Sequence, residues 1–172
     1  MRTVTYVANN DVTLLESGST YFPTLLAAID AAQHEILYET YIYAEDDTAH
    51  AVTDALCRAA RRGVKVRVLA DWFGTGHRIA CRLKEQLCAA GVHYRMFNPW
   101  FRRGAARSHR KIAVMDRQVA FVGGINTNDD NLHDYEPHAP LPAPRWDFAV
   151  RVRGPLVTEI HREAQAQWAR AG

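Results

Sequence analysis

The chain has 172 residues, 48% of them hydrophobic, and a net charge of +2 at neutral pH. That length suits one globular domain, here expected over 1–172, able to bury a core without metal or disulfide support. The weak positive charge argues against a dedicated nucleic-acid wrapper but suits a phosphate-bearing substrate, and no apolar run approaches the ~20 residues that span a bilayer.

Val12 to Leu15 reads as a short strand ended by a Gly18-Ser19 turn. Phe22, Leu25, Leu26, Ile29 and Ala32 then recur at helical spacing behind a cap at Ser19 or Thr20. Glu35 to Tyr43 is a strand rich in Ile, Tyr and Thr, and Asp46-Asp47-Thr48 opens a helix that runs to about Arg62 and closes at Gly63. Val64 to Ala70 is a nearly continuous apolar strand ending at Asp71. A helix from about His77 to Ala90 follows, closed by Gly91, and then a strand from Val92 to Phe97. Two β-α-β units in succession predict an α/β fold with a mixed, largely parallel β-sheet flanked by helices on both faces. Beyond the next pair of strands, 127–145 holds four prolines and reads as a loop. Asp147 to Val152 is a last strand and Leu156 to Ala169 a closing helix.

The pair of strands before that loop carries the chemistry. His109, Lys111, Asp116, Gly123-Gly124 and Asn126 form the pattern H-x-K-x4-D-x6-G-G-x-N. Ile112, Val114, Val119, Phe121 and Val122 are β-prone around a turn at Asp116-Arg117-Gln118. Residues two apart on a strand share a face, so His109 and Lys111 emerge side by side. An imidazole beside a fixed cation, with an amide from the next strand, suits attack on an anionic phosphorus centre. Asp116 ends the motif strand and is expected to support the site more than to react. Asp147 interrupts an apolar strand, where it can bond the far nitrogen of His109 and fix its tautomer.

The motif resembles the signature of the phospholipase D superfamily. Ser108 to Asp116 and Val119 to Asn126 are similar to the amino-terminal catalytic half of bacterial cardiolipin synthases. So are Leu14 to Gly18, Ile36 to Tyr41, Gly63 to Asp71, Trp146 to Val150 and Gly154 to Val157. The resemblance implies a phospholipase D-like half-domain, with His109 as a nucleophile that forms a phosphohistidine and Asn126 holding a phosphoryl oxygen. It also implies an active site built from two such motifs, whereas this chain has one; a homodimer or a second catalytic half has to complete it. The expected activity is phosphatidyl transfer, with phosphatidylglycerol as substrate and cardiolipin as product. Lys111 and Asn126 stand where other enzymes use a metal, so no cofactor is required. One alternative is a single-motif endonuclease or phosphodiesterase of the same superfamily, acting on nucleic acid. Another is an inactive half-domain serving as an interaction module.

Further residues are expected to line the substrate. Glu39 sits mid-strand and Asp71 at a strand's carboxyl end, where open α/β sheets place ligands; both can instead pair with arginines. Gly124 belongs to the motif. Trp100 and Arg103, in an aromatic and basic segment just before it, suit a lipid headgroup interface. Asp129, Asp130, His133 and Asp134 follow Asn126 and either help choose the acceptor or form a solvated loop. His77, Cys81, Cys88 and His93 lack the tight paired spacing of zinc sites, so no metal is expected. Cys57, Cys81 and Cys88 read as reduced thiols. Met1 to Asn10 is short and polar, without a secretory signal. The expectation is a cytoplasmic chain touching the inner face of a bacterial membrane peripherally.

Overall fold

The computed structural model describes residues 6–102, 104–136 and 139–172. Among them the elements run β1 (Asp11–Glu16), α1 (Ser17–Ala31), β2 (Glu35–Thr40), α2 (Asp47–Arg61), β3 (Lys65–Asp71), α3 (Trp72–Thr75) and α4 (His77–Ala89). They continue with β4 (His93–Phe97), a 3₁₀ turn (Pro99–Phe101), β5 (Ile112–Met115), β6 (Val119–Gly123), β7 (Phe148–Arg153) and α5 (Leu156–Arg170). The strands form one sheet in the order β1-β7-β6-β5-β2-β3-β4.

The two β-α-β units behave as their periodicity predicts: β2 pairs parallel with β3, and β3 with β4. The sheet is mixed but not largely parallel. Its other pairings, β2 with β5, β5 with β6, β6 with β7 and β7 with β1, are antiparallel. The cause is local. Asp116 and Arg117 both take positive φ (52° and 58°), and Gln118 N–H bonds the Met115 carbonyl at 2.9 Å. That two-residue turn of the type I′ kind reverses the chain and makes β5 and β6 a hairpin.

Helices cover both faces, as expected. On one side Leu25 and Ile29 of α1, Val52 and Leu56 of α2, and Leu87 of α4 pack on Ile36, Val66, Val68, Met115 and Phe121. On the other, Val157 and Ala164 of α5 meet Leu37, Val114, Ala120 and Val152. Each fully buried large aliphatic side chain contributes about 1.5–3 kcal/mol relative to exposure. Asp46 caps α2 by accepting from Ala49 N–H at 2.8 Å, and Arg58 and Arg61 lie in its last turn, where the dipole favours cations.

Two boundaries differ from expectation. α1 begins at Ser17, directly after β1, with no cap from Ser19 or Thr20. Gly18 N–H instead donates to Asp130 at 2.6 Å, a bond between residues 112 apart. β2 ends at Thr40, three residues early, because Tyr41 leaves the ladder. The chain beyond is held from the side by Asn126 and Thr127.

Candidate active site

The parallel strands β2, β3 and β4 end on one rim of the sheet, and the approach to β5 crosses the same rim. Asp71, the last residue of β3 and 1% exposed, organises that crossing. Its Oδ1 accepts from Phe73 and Gly74 N–H at 3.0 Å each, capping α3. Its Oδ2 accepts from Ser108 N–H at 2.8 Å. Among the described residues Asp71 pairs with no arginine, and both its oxygens serve backbone N–H groups. It fixes the backbone one residue before His109, and Gln167 of α5 secures the Ser108 hydroxyl from below at 3.2 Å.

His109 and Lys111 emerge together as strand periodicity requires. The Lys111 ammonium lies 3.1 Å from Nδ1 and 3.3 Å from Nε2 of His109, and 3.2 Å from the His109 carbonyl oxygen. An ammonium has protons to give and no lone pair, so a ring nitrogen bonded to it is the acceptor, and attack through that nitrogen requires the contact to open. His109 is exposed while Lys111 is 6% exposed. Burial pulls the Lys111 pKa below the usual lysine value, and the Asp147 charge opposes this. Tyr41 closes one flank: its ring centroid is 4.5 Å from that of His109, and the Lys111 ammonium sits 5.3 Å over it.

Asn126 accepts from Ile42 N–H at 3.0 Å through its side-chain oxygen. The carboxamide is thereby oriented, and among the described residues no hydrogen bond engages its NH₂. The two glycines before it serve close approach. A Cβ at Gly123 would strike the backbone of Phe148 and Ala149, and one at Gly124 would strike the Asp147 carboxylate. Gly124 N–H bonds the Phe148 carbonyl at 2.8 Å, so it joins strands and offers substrate no donor.

Three expected residues stand elsewhere in role or place. Asp147 adjoins Gly124 and acts electrostatically on Lys111, but its Oδ1 accepts from Phe148 N–H at 2.7 Å. The expected bond to His109 is not formed among the described residues. Asp116 lies at the other end of β5, away from the chemistry. Its oxygens accept from Gln33, His34 and Glu35 N–H, each at 2.8 Å. Burial pushes its carboxyl up, and these three backbone bonds outweigh that and hold it below the usual value. Glu39 occupies the α5 face with Leu37, opposite His109 and Lys111. Its Oε2 is 3.1 Å from Arg110 Nε, neither oxygen finds a well-aligned hydrogen bond among the described residues, and burial pushes its carboxyl up to about 7 against the pull of Arg110.

Trp100 stands 62% exposed on the same rim, and Arg103 lies outside the described residues. The acidic loop after Asn126 is stapled into the fold: Asp129 N–H bonds Asp46 at 2.8 Å, and Arg145 pairs with Asp134 at 2.8 Å. Sequence reasoning passed over Tyr41 and Tyr135. Tyr135 donates to the Gly74 carbonyl at 3.0 Å, bridging the loop to α3. The one available signal was the position of Tyr41, immediately past a strand's carboxyl end. His109 lines neither the cavity of about 680 Å³ between α1 and Arg151 and Arg153 nor that of about 380 Å³ beside Trp72; it stands on an open face. Among the described residues, an exposed imidazole with a cation and an oriented amide beside it and no carboxylate bonded to it has part of what phosphoryl transfer requires.

The family described as "Cardiolipin synthase, PLD-like domain" matches residues 25–163. Cardiolipin synthase B of Escherichia coli strain K12 is 39% identical over 157 residues, covering 88% of this chain and 37% of that protein. Cardiolipin synthase A of Pseudomonas putida is 33% identical over 167 residues, covering 94% and 34% respectively. The chain thus spans little more than a third of the length of these relatives. Among solved structures, Nuc, a phospholipase D family member from Salmonella typhimurium, superposes with a TM-score of 0.72 at 19% identity, covering 95% of this chain and 97% of that one. Phosphatidylserine synthase of Haemophilus influenzae Rd KW20 gives 0.64 at 11% identity, covering 99% and 41%. At such identities the structural likeness speaks for the fold.

Proposed function

Because the chain belongs to the phospholipase D-like domain family of cardiolipin synthases, we propose that it is one catalytic half of a phosphatidyltransferase that acts through a covalent phosphohistidine. The carrying observation is the Lys111 ammonium held against the His109 ring beside an oriented Asn126 amide. His109 attacks the phosphorus of phosphatidylglycerol. A nitrogen–phosphorus bond forms, the bond to the headgroup glycerol oxygen breaks, and the departing glycerol takes a proton from a second histidine. That second histidine then deprotonates the hydroxyl of another phosphatidylglycerol. The hydroxyl oxygen attacks phosphorus, releasing His109 and giving cardiolipin. Lys111 and the Asn126 amide neutralise the phosphoryl oxygens as charge builds on them, a role worth about 10²–10³ in rate for one donor.

The second histidine comes from a second copy or a homologous second half, and the exposure of His109 leaves room for it. Asp147 holds the charge of Lys111 and, once the second half closes the site, has His109 as its natural partner. Contact with the membrane is peripheral; no described helix is long and apolar enough to cross a bilayer. The test follows cardiolipin formation from labelled phosphatidylglycerol vesicles alongside cleavage of labelled DNA, for wild type and His109→Ala. His109-dependent cardiolipin is the expected result. His109-dependent DNA cleavage without lipid turnover would move the chain to the nucleic-acid reading.

A further inference from the structure

Four aromatic rings gather on the rim beside the site, drawn from two separate segments. Trp72 and Phe73 follow β3; Trp100 and Phe101 follow β4. The Trp72 ring centroid is 5.3 Å from that of Trp100 and 5.1 Å from that of Phe101, while Phe73 and Phe101 are 6.2 Å apart. This is a cluster turned outward: Trp100 is 62%, Phe73 52% and Phe101 45% exposed.

The backbone holds it there at a cost. Asn98, Trp100 and Phe101 all take positive φ, 50°, 57° and 53°, a region bulky L-residues rarely occupy. The Asn98 carboxamide stabilises that turn by donating to the Gly104 and Ala106 carbonyls at 2.9 Å each. Positive φ at bulky residues and exposed rings at one place mark this rim as a candidate contact surface.

Cations interleave with the rings. The Arg107 guanidinium lies 4.3 Å over Phe73 and 4.8 Å over Phe101, and Arg102 is exposed next to Phe101. Behind Trp100 opens the cavity of about 380 Å³, walled by Trp72, His77, Lys84, Arg95 and Arg102. Aromatics at headgroup depth with arginines among them are the chemistry of an interface with anionic lipid. The other exposed apolar patch, Val12, Leu14, Trp146 and Phe148, differs: its polar partner is a carboxylate, Glu16, bonded by Trp146 Nε1 at 2.7 Å.

We propose that Trp72, Phe73, Trp100 and Phe101, with Arg102 and Arg107, dock this domain onto a bilayer containing anionic phospholipid, with the His109 rim facing the headgroups. The placement rests on the lipid-transfer reading. Asp71 caps the Trp72–Phe73 turn and holds Ser108, so the docking rings and the nucleophile are tied through one carboxylate.

The test is co-sedimentation of the chain with vesicles of phosphatidylcholine alone or mixed equally with phosphatidylglycerol. Partition is read without turnover, so an absence of transferase activity leaves this result standing or falling by itself. Wild type is expected to partition onto the mixed vesicles, and W100A/F101A to lose about tenfold or more of that partition. R102Q/R107Q should lose the preference for phosphatidylglycerol and much of the salt dependence. V12S/L14S, altered on the other patch, should stay within about twofold. Circular dichroism checks each fold, and W100A alone carries the test if the double variant does not fold. A wild-type chain that ignores both vesicles overturns the proposal. So does an aromatic variant that partitions like wild type, or equal loss in V12S/L14S.

Discussion

The two ends of β5 carry parts of one sequence motif and do opposite things. At one end His109 is exposed, the Lys111 ammonium lies against its ring, and Asn126 is held by the Ile42 N–H. At the other end Asp116 has spent both oxygens on three backbone N–H groups. One end is open, the other saturated. The contrast teaches that a motif is not a site: its histidine and lysine face outward as the proposed chemistry needs, and its aspartate positions the hairpin from which they project.

The sharpest break in that contrast comes at the open end. His109→Ala should abolish transfer, by about 10⁴-fold or more, while an exposed side chain costs stability no more than about 0.5 kcal/mol. Rapid-quench measurement of the phosphohistidine together with urea titration reads both. Lys111→Met should slow the same single turnover by about 10²–10³-fold, with headgroup binding reduced less. A lysine variant that turns over normally would mean that the cation is structural and the two ends are not so different.

The saturated end should respond in the other currency. Asp116→Asn keeps one acceptor oxygen and replaces the other with a donor facing N–H groups, so it should cost about 1–3 kcal/mol of stability and leave the rate per folded molecule unchanged. Its pH dependence carries a definite sign. The folded Asp116 pKa is lowered, so its contribution is present above the unfolded value of about 3.9 and is lost as pH falls through the folded value. Acid titration should therefore narrow the gap between wild type and D116N. Glu39 has the reverse sign. Burial raises its carboxyl to about 7, so its favourable contribution is full below the unfolded value of about 4.3 and disappears as pH rises through 7. Glu39→Gln should be more stable than wild type at pH 8 by at most a few kcal/mol, with Arg110 offsetting part, and the difference should shrink toward pH 4. Thermal melts across that range measure it.

Much of this was legible in the chain. Apolar periodicity marked the strands and helices of both β-α-β units, and H-x-K spacing put His109 and Lys111 on one face, because both signals are local. What the chain concealed depends on partners distant in sequence. Nothing in Trp72–Thr75 announces a helix; a carboxylate cap creates it. The face occupied by Glu39 follows from its register with Ile112, a pairing of residues far apart. The turn at Asp116-Arg117-Gln118 is legible, but the antiparallel pairings of β2 with β5, β6 with β7 and β7 with β1 join strands far apart in the chain, and these outnumber the parallel ones. Asp147 shows the same limit at the site: its position on β7 was readable, while its actual bond to Phe148 was not.

Asp71 has a dynamic consequence. The amide protons of Phe73, Gly74 and Ser108 share this one buried acceptor. Movement of that one carboxylate opens all three bonds together. Amides separated by more than thirty positions should therefore exchange as a single cooperative unit, with Ser108 protected well beyond its neighbours in the loop. Replacing Asp71 with alanine should uncouple them, and the first sign would be faster deuterium uptake in the segment that carries His109.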